Sequence, residues 1–206
     1  MFATIYVPNF YLQAVLRHQA PSPATAVGLI DEKNNKPVII QLNPVAVTAG
    51  VLPGMTPSQG LARCLSLVIK ARSAAQEEST QEILLHSAFT LSPYVEETGP
   101  GVCTVQFTDH RSLVEKVSRA IAHLGECEII AQGGIGRTPD TSFLAAHLAR
   151  PVLAIEEPKK FLTPLPIETL TIGLESWLAA SGWRSIKRPR SNKDVLANTG
   201  PAPRKL

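Results

Sequence analysis

The sequence predicts a mixed α/β chain of the α+β type. Short apolar runs with strand character alternate with segments of helical spacing, no repeat period links them, and prolines punctuate the junctions. The opening stretch "FATIYVPNFYLQAVLR", residues 2 to 17, shows the pattern. Ala3 to Val7 read as a buried strand, Pro8 sits in the turn, and Phe10, Ala14 and Val15 then share one apolar helical face.

After a Pro-Ser-Pro break, "TAVGLID" and "PVIIQLN" read as a hairpin joined by the charged, Asn-rich turn Asp31 to Lys36. Thr56 is placed to cap a helix with Pro57 in its first position and Gln59 three residues on, which carries Gly60 to Cys64 as helix. "LVIKAR" is the next strand candidate. Ser79 and Glu82 have capping-box spacing, and Ile83, Leu84, Ala88 and Leu91 give that helix an inward stripe before Pro93. "GVCTVQFT" alternates with Cys103, Val105 and Phe107 on one side, which predicts a half-covered strand. Leu113, Val117, Ile121 and Leu124 recur at helical spacing, and Gly125 is expected to close that helix. "CEIIAQGGIG" reads as a strand running into a glycine turn. Thr138 and Pro139 open another helix bearing Phe143, Leu144 and Leu148, which Pro151 terminates. "VLAI" is the last strand, and a connector around Pro158, Pro164 and Pro166 follows it.

Composition excludes several classes. A chain of 206 residues with 44% hydrophobic content can bury a sizeable core. No apolar run approaches the ~20 residues that span a bilayer, and the start lacks a basic segment followed by a long apolar one, so no membrane is expected and the chain reads as cytoplasmic. Cys64, Cys103 and Cys127 are odd in number and far apart, which predicts buried free thiols instead of zinc ligands or disulfides. The net charge of +3 is uneven: residues 184 to 206 carry Arg184, Lys187, Arg188, Arg190, Lys193, Arg204 and Lys205 against Asp194 alone. Such a tail would favour phosphate through counterion release, with Arg184, Lys187, Arg188 and Arg190 as the nucleic-acid-binding candidates; a frayed, solvated end is the alternative reading.

Four stretches, taken in order over roughly residues 1 to 170, resemble the Y-family DNA polymerases, and specifically their ImuB-like branch. "FATIYVPNFYLQAVL" is similar to the first palm strand and turn, and "NPVAVTAGVLPGMTPSQGLARCLSLVI" to the fingers. "LSPYVEETGPGVCTVQFT" is similar to the second catalytic strand, and "GGIGRTPDTSFLAAHLARP" to the late palm helix. The resemblance implies a polymerase palm over residues 1–11 and 76–165, with a mixed sheet and packed helices. A small inserted fingers subdomain would occupy 12–75, a partial helical thumb 166–186 and a basic flexible tail 187–206.

In active members the resemblance implies an Asp, then a second Asp two residues on, at the first turn, and an Asp-Glu pair on the second strand. These hold two magnesium ions that align the triphosphate and activate the primer hydroxyl. Here the first two positions fall on Tyr6 and Pro8, and the second pair on Pro100 and Gly101, so no catalytic residue, metal or cofactor is expected. The first acidic residue in the chain is Asp31. Glu96 and Glu97 lie near the second strand, but neighbours on an extended chain point to opposite faces, so at most one could face inward. The positions implied to contact phosphates fall on Pro44 and Val47 in the fingers and on or near Ala146 in the late helix, which replaces charge-assisted hydrogen bonds worth ~1.5–3 kcal/mol each with apolar groups. Tyr11 falls where the resemblance implies the sugar-discriminating aromatic residue; packing beside Phe10 is the competing role.

The resemblance then implies a noncatalytic adaptor in DNA-damage tolerance, binding DNA and joining the sliding clamp, a small recombinase-like partner and an error-prone replicative-type polymerase. A truncated fragment, or an active nucleotidyltransferase with a rebuilt site, are the alternatives. "IETLTIGLESWLAASGWRSI" could begin a thumb, with Leu170, Leu174, Trp177 and Leu178 as its stripe and Gly182 at its end, and no little finger is expected to follow. "QEILLH" is set aside as a clamp-binding peptide because it falls in a predicted helix. "GGIG" lacks the continuation of a phosphate loop and reads as an ordinary turn. His18, His86, His110, His123 and His147 lack ligand spacing, Ser92 and Ser142 lack a His partner, and all read as structural.

Overall fold

A central strand with both faces covered organises the protein. The computed structural model describes residues 1–171 apart from 18, 20, 21 and 33–36. Strand β1 (Phe2–Tyr6) lies in the middle of a five-stranded sheet of order β5-β6-β1-β7-β8. It is antiparallel to β6 (Val102–Gln106) and β7 (Gln132–Gly136), while β8 (Val152–Ala154) runs parallel to β7 and β5 (Val95–Gly99) forms the hairpin with β6. A second sheet, β3-β2-β4, contains the antiparallel pair β2 (Val27–Asp31) and β3 (Val38–Leu42), with β4 (Val68–Ala71) parallel to β2. This mixed architecture agrees with the predicted class.

Alternation along β1 assigns its two faces. Ala3, Ile5 and Val7 join Cys103 and Val105 in a core with Leu84 and Ala88 of helix α4 (Ala74–Phe89) and Val117, Ile121 and Leu124 of helix α5 (Leu113–Glu126). Thr4 faces the other way, toward helix α6 (Pro139–Leu148). Helix α1 (Phe10–Leu16) ties the sheets together: Phe10 enters the first core, whereas Leu12 and Val15 pack on Val27 and Leu29. Helices α2 (Pro44–Thr48) and α3 (Pro57–Arg63) close the second core around Ile39, Leu42, Ala46, Val51 and Leu67. The short helix α7 (Pro158–Leu162) and a 3-10 turn (Ile167–Thr171) end the described part.

Local chemistry sets several boundaries as expected. Thr56 and Gln59 form the reciprocal capping box, and Thr138 accepts from the Thr141 N–H ahead of Pro139. The α5 stripe Leu113, Val117, Ile121 and Leu124 is wholly buried. Other boundaries differ. Helix α4 starts at Ala74, so Ser79 lies inside it; Glu77 in its first turn is anchored by a bidentate pair with Arg72, which favours the earlier start. Gly125 remains helical, and Glu128 takes the left-handed turn with φ 61°. Strand β6 is covered on both faces, not one, because α6 packs over Thr104's side. The buried face of α6 is Thr141, Ser142, Ala145 and Ala146, while Phe143, Leu144 and Leu148 are only half-buried.

The glycine-rich stretch is strand, not turn. In β7 a Cβ on Gly133 would lie 2.6 Å from Val117 Cγ1, and one on Gly134 would lie 2.7 Å from the Ala145 carbonyl carbon and closer still to Ser142 O and Ala146 N. Missing side chains let α5 and α6 approach opposite faces of one strand. Strand β5 and helices α2 and α7 are additional to the elements expected from the sequence. Asn43, whose Oδ1 accepts from the Ala46 N–H ahead of Pro44, is the local signal for α2. The stripe at Leu174, Trp177 and Leu178, the Gly182 stop and the basic candidates Arg184, Lys187, Arg188 and Arg190 lie outside the described residues. Among the described residues no helix is long and apolar enough to cross a membrane.

Candidate functional site

The end of β1, the turn that follows it and the β5–β6 turn form one mouth. The Val7 N–H donates to Gly101 O at 2.8 Å, so the first-strand positions Tyr6 and Pro8 and the second-strand positions Pro100 and Gly101 are brought together. Asn9 takes the left-handed conformation, φ 49°, which turns the chain into α1. Gln13 on α1 donates from Nε2 to Pro8 O at 2.6 Å and exchanges two further bonds with the Ile130 backbone, of 2.8 and 2.9 Å. Donors near the mouth are already taken: Leu12 N–H by Gln41 Oε1 and Gly101 N–H by Gln81 Oε1, each at 2.8 Å.

Aromatic rings fill the α6 side of the mouth. Tyr6 stacks on His147 with centroids 3.9 Å apart and planes 22° apart, and Phe143 lies 4.3 Å beyond. Burial raises the Tyr6 hydroxyl above its ordinary value, opposed in part by Arg150, so the phenol stays neutral. Behind the stack runs a hydroxyl chain: Thr98 to Thr104 at 2.9 Å, Thr104 to Thr4 at 3.2 Å, Thr4 to Ser142 at 2.8 Å, and Ser142 donating to Pro139 O at 2.8 Å. It satisfies three hydroxyls buried between the sheet and α6.

Burial lowers the His147 imidazole below its ordinary 6.5, opposed by the bond between Nδ1 and Phe143 O. Nδ1–H donates there, which leaves Nε2 as a buried acceptor without a partner. The unfolded chain takes up this proton first on acidification. The stability tied to neutral His147 is therefore whole above about pH 6.5 and is lost as pH falls from there through the lower folded value. Denaturant midpoints measured from about pH 8 to about pH 5 should fall in the wild type, and His147→Phe should flatten that part of the curve. An unchanged slope would place the sensitivity elsewhere.

The residues at the mouth do not fit the two-magnesium set. Tyr6, Pro8, Pro100 and Gly101 offer no carboxylate. Gly101 has φ +72°, and a Cβ there would lie 2.6 to 2.8 Å from Phe10 Cβ, Cγ and Cδ2, so α1 occupies the space that an acidic side chain would need. Glu96 and Glu97 lie lower on β5, opposite Thr104 and Cys103, and both are exposed. Glu97 points to the Cys103 side, where burial first and then this carboxylate push the thiol up to about 12. Among the described residues no group of three His, Cys, Asp or Glu is placed to hold a metal ion.

The positions matched to phosphate contacts are separated. Pro44 and Val47 are exposed on α2, and Ala146 is fully buried with its backbone against Gly134; α6 turns Phe143 and His147 to the mouth instead. Tyr11 does more than pack beside Phe10. Its edge meets Phe10 at 5.5 Å, and Arg72 lies 3.9 Å above its ring. Arg72 grips Glu77 through two bonds of 2.8 and 2.6 Å and lies 3.7 Å from Asp31, locking β2, β4, α1 and α4 together. The Glu77 bond is the main reason that its guanidinium is held above the ordinary value. Sequence reading missed Arg72, because its partners come from three elements that are adjacent only after folding. Of the cysteines, only Cys103 is fully buried; Cys64 and Cys127 are half-buried, and all three are free.

A five-stranded mixed sheet with helices on both faces, joined at its first turn to a smaller three-stranded unit, is the N-terminal fold of a Y-family DNA polymerase. It superposes on a Dbh DNA polymerase in a post-insertion binary complex with a TM-score of 0.74 at 13% identity, covering 82% of this chain and 52% of that one. A Dbh–Dpo4 chimera gives 0.71 at 13% identity, with coverage of 82% and 53%. DinB from Sulfolobus solfataricus gives 0.68 at 14% identity, also with coverage of 82% and 53%. The chain thus spans about half the length of these polymerase chains. No curated protein matches the sequence. The model of the impB/mucB/samB family matches residues 5–147, and the chain belongs to that family.

Proposed function

We propose that this protein is a noncatalytic, ImuB-like member of its family. In this reading it acts in translesion synthesis as an adaptor that binds DNA and other proteins and joins no nucleotides. The observation that carries this reading is the side-chain space at Gly101, which Phe10 fills while Tyr6 stacks on His147 where a metal-binding acid would be required. Phosphoryl transfer needs hard oxygen ligands around its magnesium ions, and rings and glycine supply none. The partners proposed are DNA, a sliding clamp, a small recombinase-like protein and an error-prone replicative-type polymerase. The basic residues Arg184, Lys187, Arg188 and Arg190 would supply a nonspecific grip on phosphate.

Primer extension on an undamaged and an abasic template, with magnesium and then manganese, tests the catalytic half. No extended product is expected, and template-directed synthesis by the purified chain would overturn the reading. The DNA half is tested by affinity against salt. Binding should weaken steeply, and removing the four basic side chains together should reduce the salt slope by about one for each phosphate that is no longer neutralised. Salt-independent affinity would refute that role.

A further inference from the structure

On the far side of the first sheet from the Tyr6 stack, a groove of about 580 Å³ runs between the C-terminal turn of α4 and the outer face of α5. Ser87 lines it: this residue is 3% exposed, and its hydroxyl has no hydrogen-bond partner. A helical serine ordinarily bonds back to a carbonyl of the preceding turn, so an unpaired hydroxyl here marks a donor without an acceptor. Leu91, Ala120 and Ala122 make the groove partly apolar, and Lys116 and Arg119 bring two cations to it against the single carboxylate of Glu126. Lys116 lies 3.9 Å from Asp109, and the imidazole of His123 lies 3.2 Å from Glu126. Arg119 has no acidic partner among the described residues.

We propose that this groove docks an acidic peptide segment of a partner protein, with a carboxylate held by Arg119 and the Ser87 hydroxyl and apolar side chains laid on Leu91 and Ala120. The guanidinium fork matches a carboxylate in two parallel bonds, and Lys116 supplies further positive charge. Nucleic acid fits less well, because Lys116 and Arg119 are the only Lys or Arg in the lining and the groove carries no extended row of cations to follow a phosphate backbone. The chain's own end is a poor occupant, since residues 184 to 206 hold seven Lys and Arg against one Asp. The groove shares no residue with the mouth, so its docking role is independent of the noncatalytic reading.

The test is a titration of the isotope-labelled full chain, followed by backbone amide shifts. The probes are a capped peptide alternating glutamate with leucine, its glutamine counterpart, orthophosphate and a single-stranded oligonucleotide. The glutamate peptide should move the Ser87, Thr90 and Arg119 amides saturably and bind about tenfold or more tighter than the glutamine one. That ratio is the loss of one charge-assisted bond. Orthophosphate and the oligonucleotide should leave those amides in place. Arg119→Glu, at an exposed position, should abolish the shifts while circular dichroism stays unchanged. Ser87→Ala should weaken binding without lowering the melting temperature, because it removes an unpaired hydroxyl. No saturable shift, equal affinity for the glutamine peptide, a response to orthophosphate or oligonucleotide alone, or indifference to Arg119→Glu would each overturn the proposal.

Discussion

Gly134→Ala should leave little folded protein at moderate temperature. The added methyl would press on Ser142 O, Ala146 N and the Ala145 carbonyl carbon, all backbone atoms of α6. Backbone cannot rotate aside as a side-chain tip can, so the helix must lift from β7. Overpacking costs ~1–3 kcal/mol where side chains can give, and more where they cannot, against the ~5–15 kcal/mol of a typical domain. Lifting α6 would also strand Thr4 and Ser142, which now bond at 2.8 Å. Gly125→Ala is the matched control, for nothing lies within 4 Å of its added methyl and its backbone is helical. That substitution should be neutral or stabilise by up to ~1 kcal/mol. Urea denaturation of the pair decides the matter, and equal midpoints would show that α6 does not press on β7.

The second large effect concerns any attempt to rebuild a metal site. Gly101→Glu should destabilise the protein by roughly 2–6 kcal/mol, adding ~1–3 for a side chain at positive φ to ~1–3 for the collision with Phe10. Gly54 separates the two causes. Its φ is +88° but its surroundings are open, so Gly54→Ala should show the conformational part alone. If the two variants were equally destabilised, Phe10 would not be the obstacle. Tyr6→Asp combined with Pro8→Asp would return carboxylates to the first turn only, and magnesium should not raise the melting temperature of that double variant. A magnesium-dependent increase would show that the mouth can accept a cation after all.

Much of the architecture is legible in the sequence because the signals are short. Thr56-Pro57 with Gln59, and Thr138-Pro139, each start a helix through bonds made within three residues. The apolar period of α5 identifies its buried face before any partner is known. The misreadings share a different cause. Gly133, Gly134 and Gly136 look like a turn when only their neighbours in the chain are considered, yet their role is to admit helices that follow or precede them by many residues. Ser79 has the spacing of a cap, while the start of α4 is set by Arg72 reaching Glu77 from the end of β4. Ala146 stands close to the implied phosphate contact in sequence, but burial against β7 turns it from the mouth and presents His147.

The sequence by itself determined the order of most strands and helices, the helix caps at Thr56 and Thr138 and the absence of acids from the opening turn, since each depends on residue type and near-neighbour spacing. Tertiary structure alone decided that Phe10 fills the space at Gly101, that Arg72 locks three elements to Tyr11, and that Ser87 and Arg119 share a groove. Close packing brings together atoms from distant parts of the chain, and that proximity leaves no periodic trace in the residues between them.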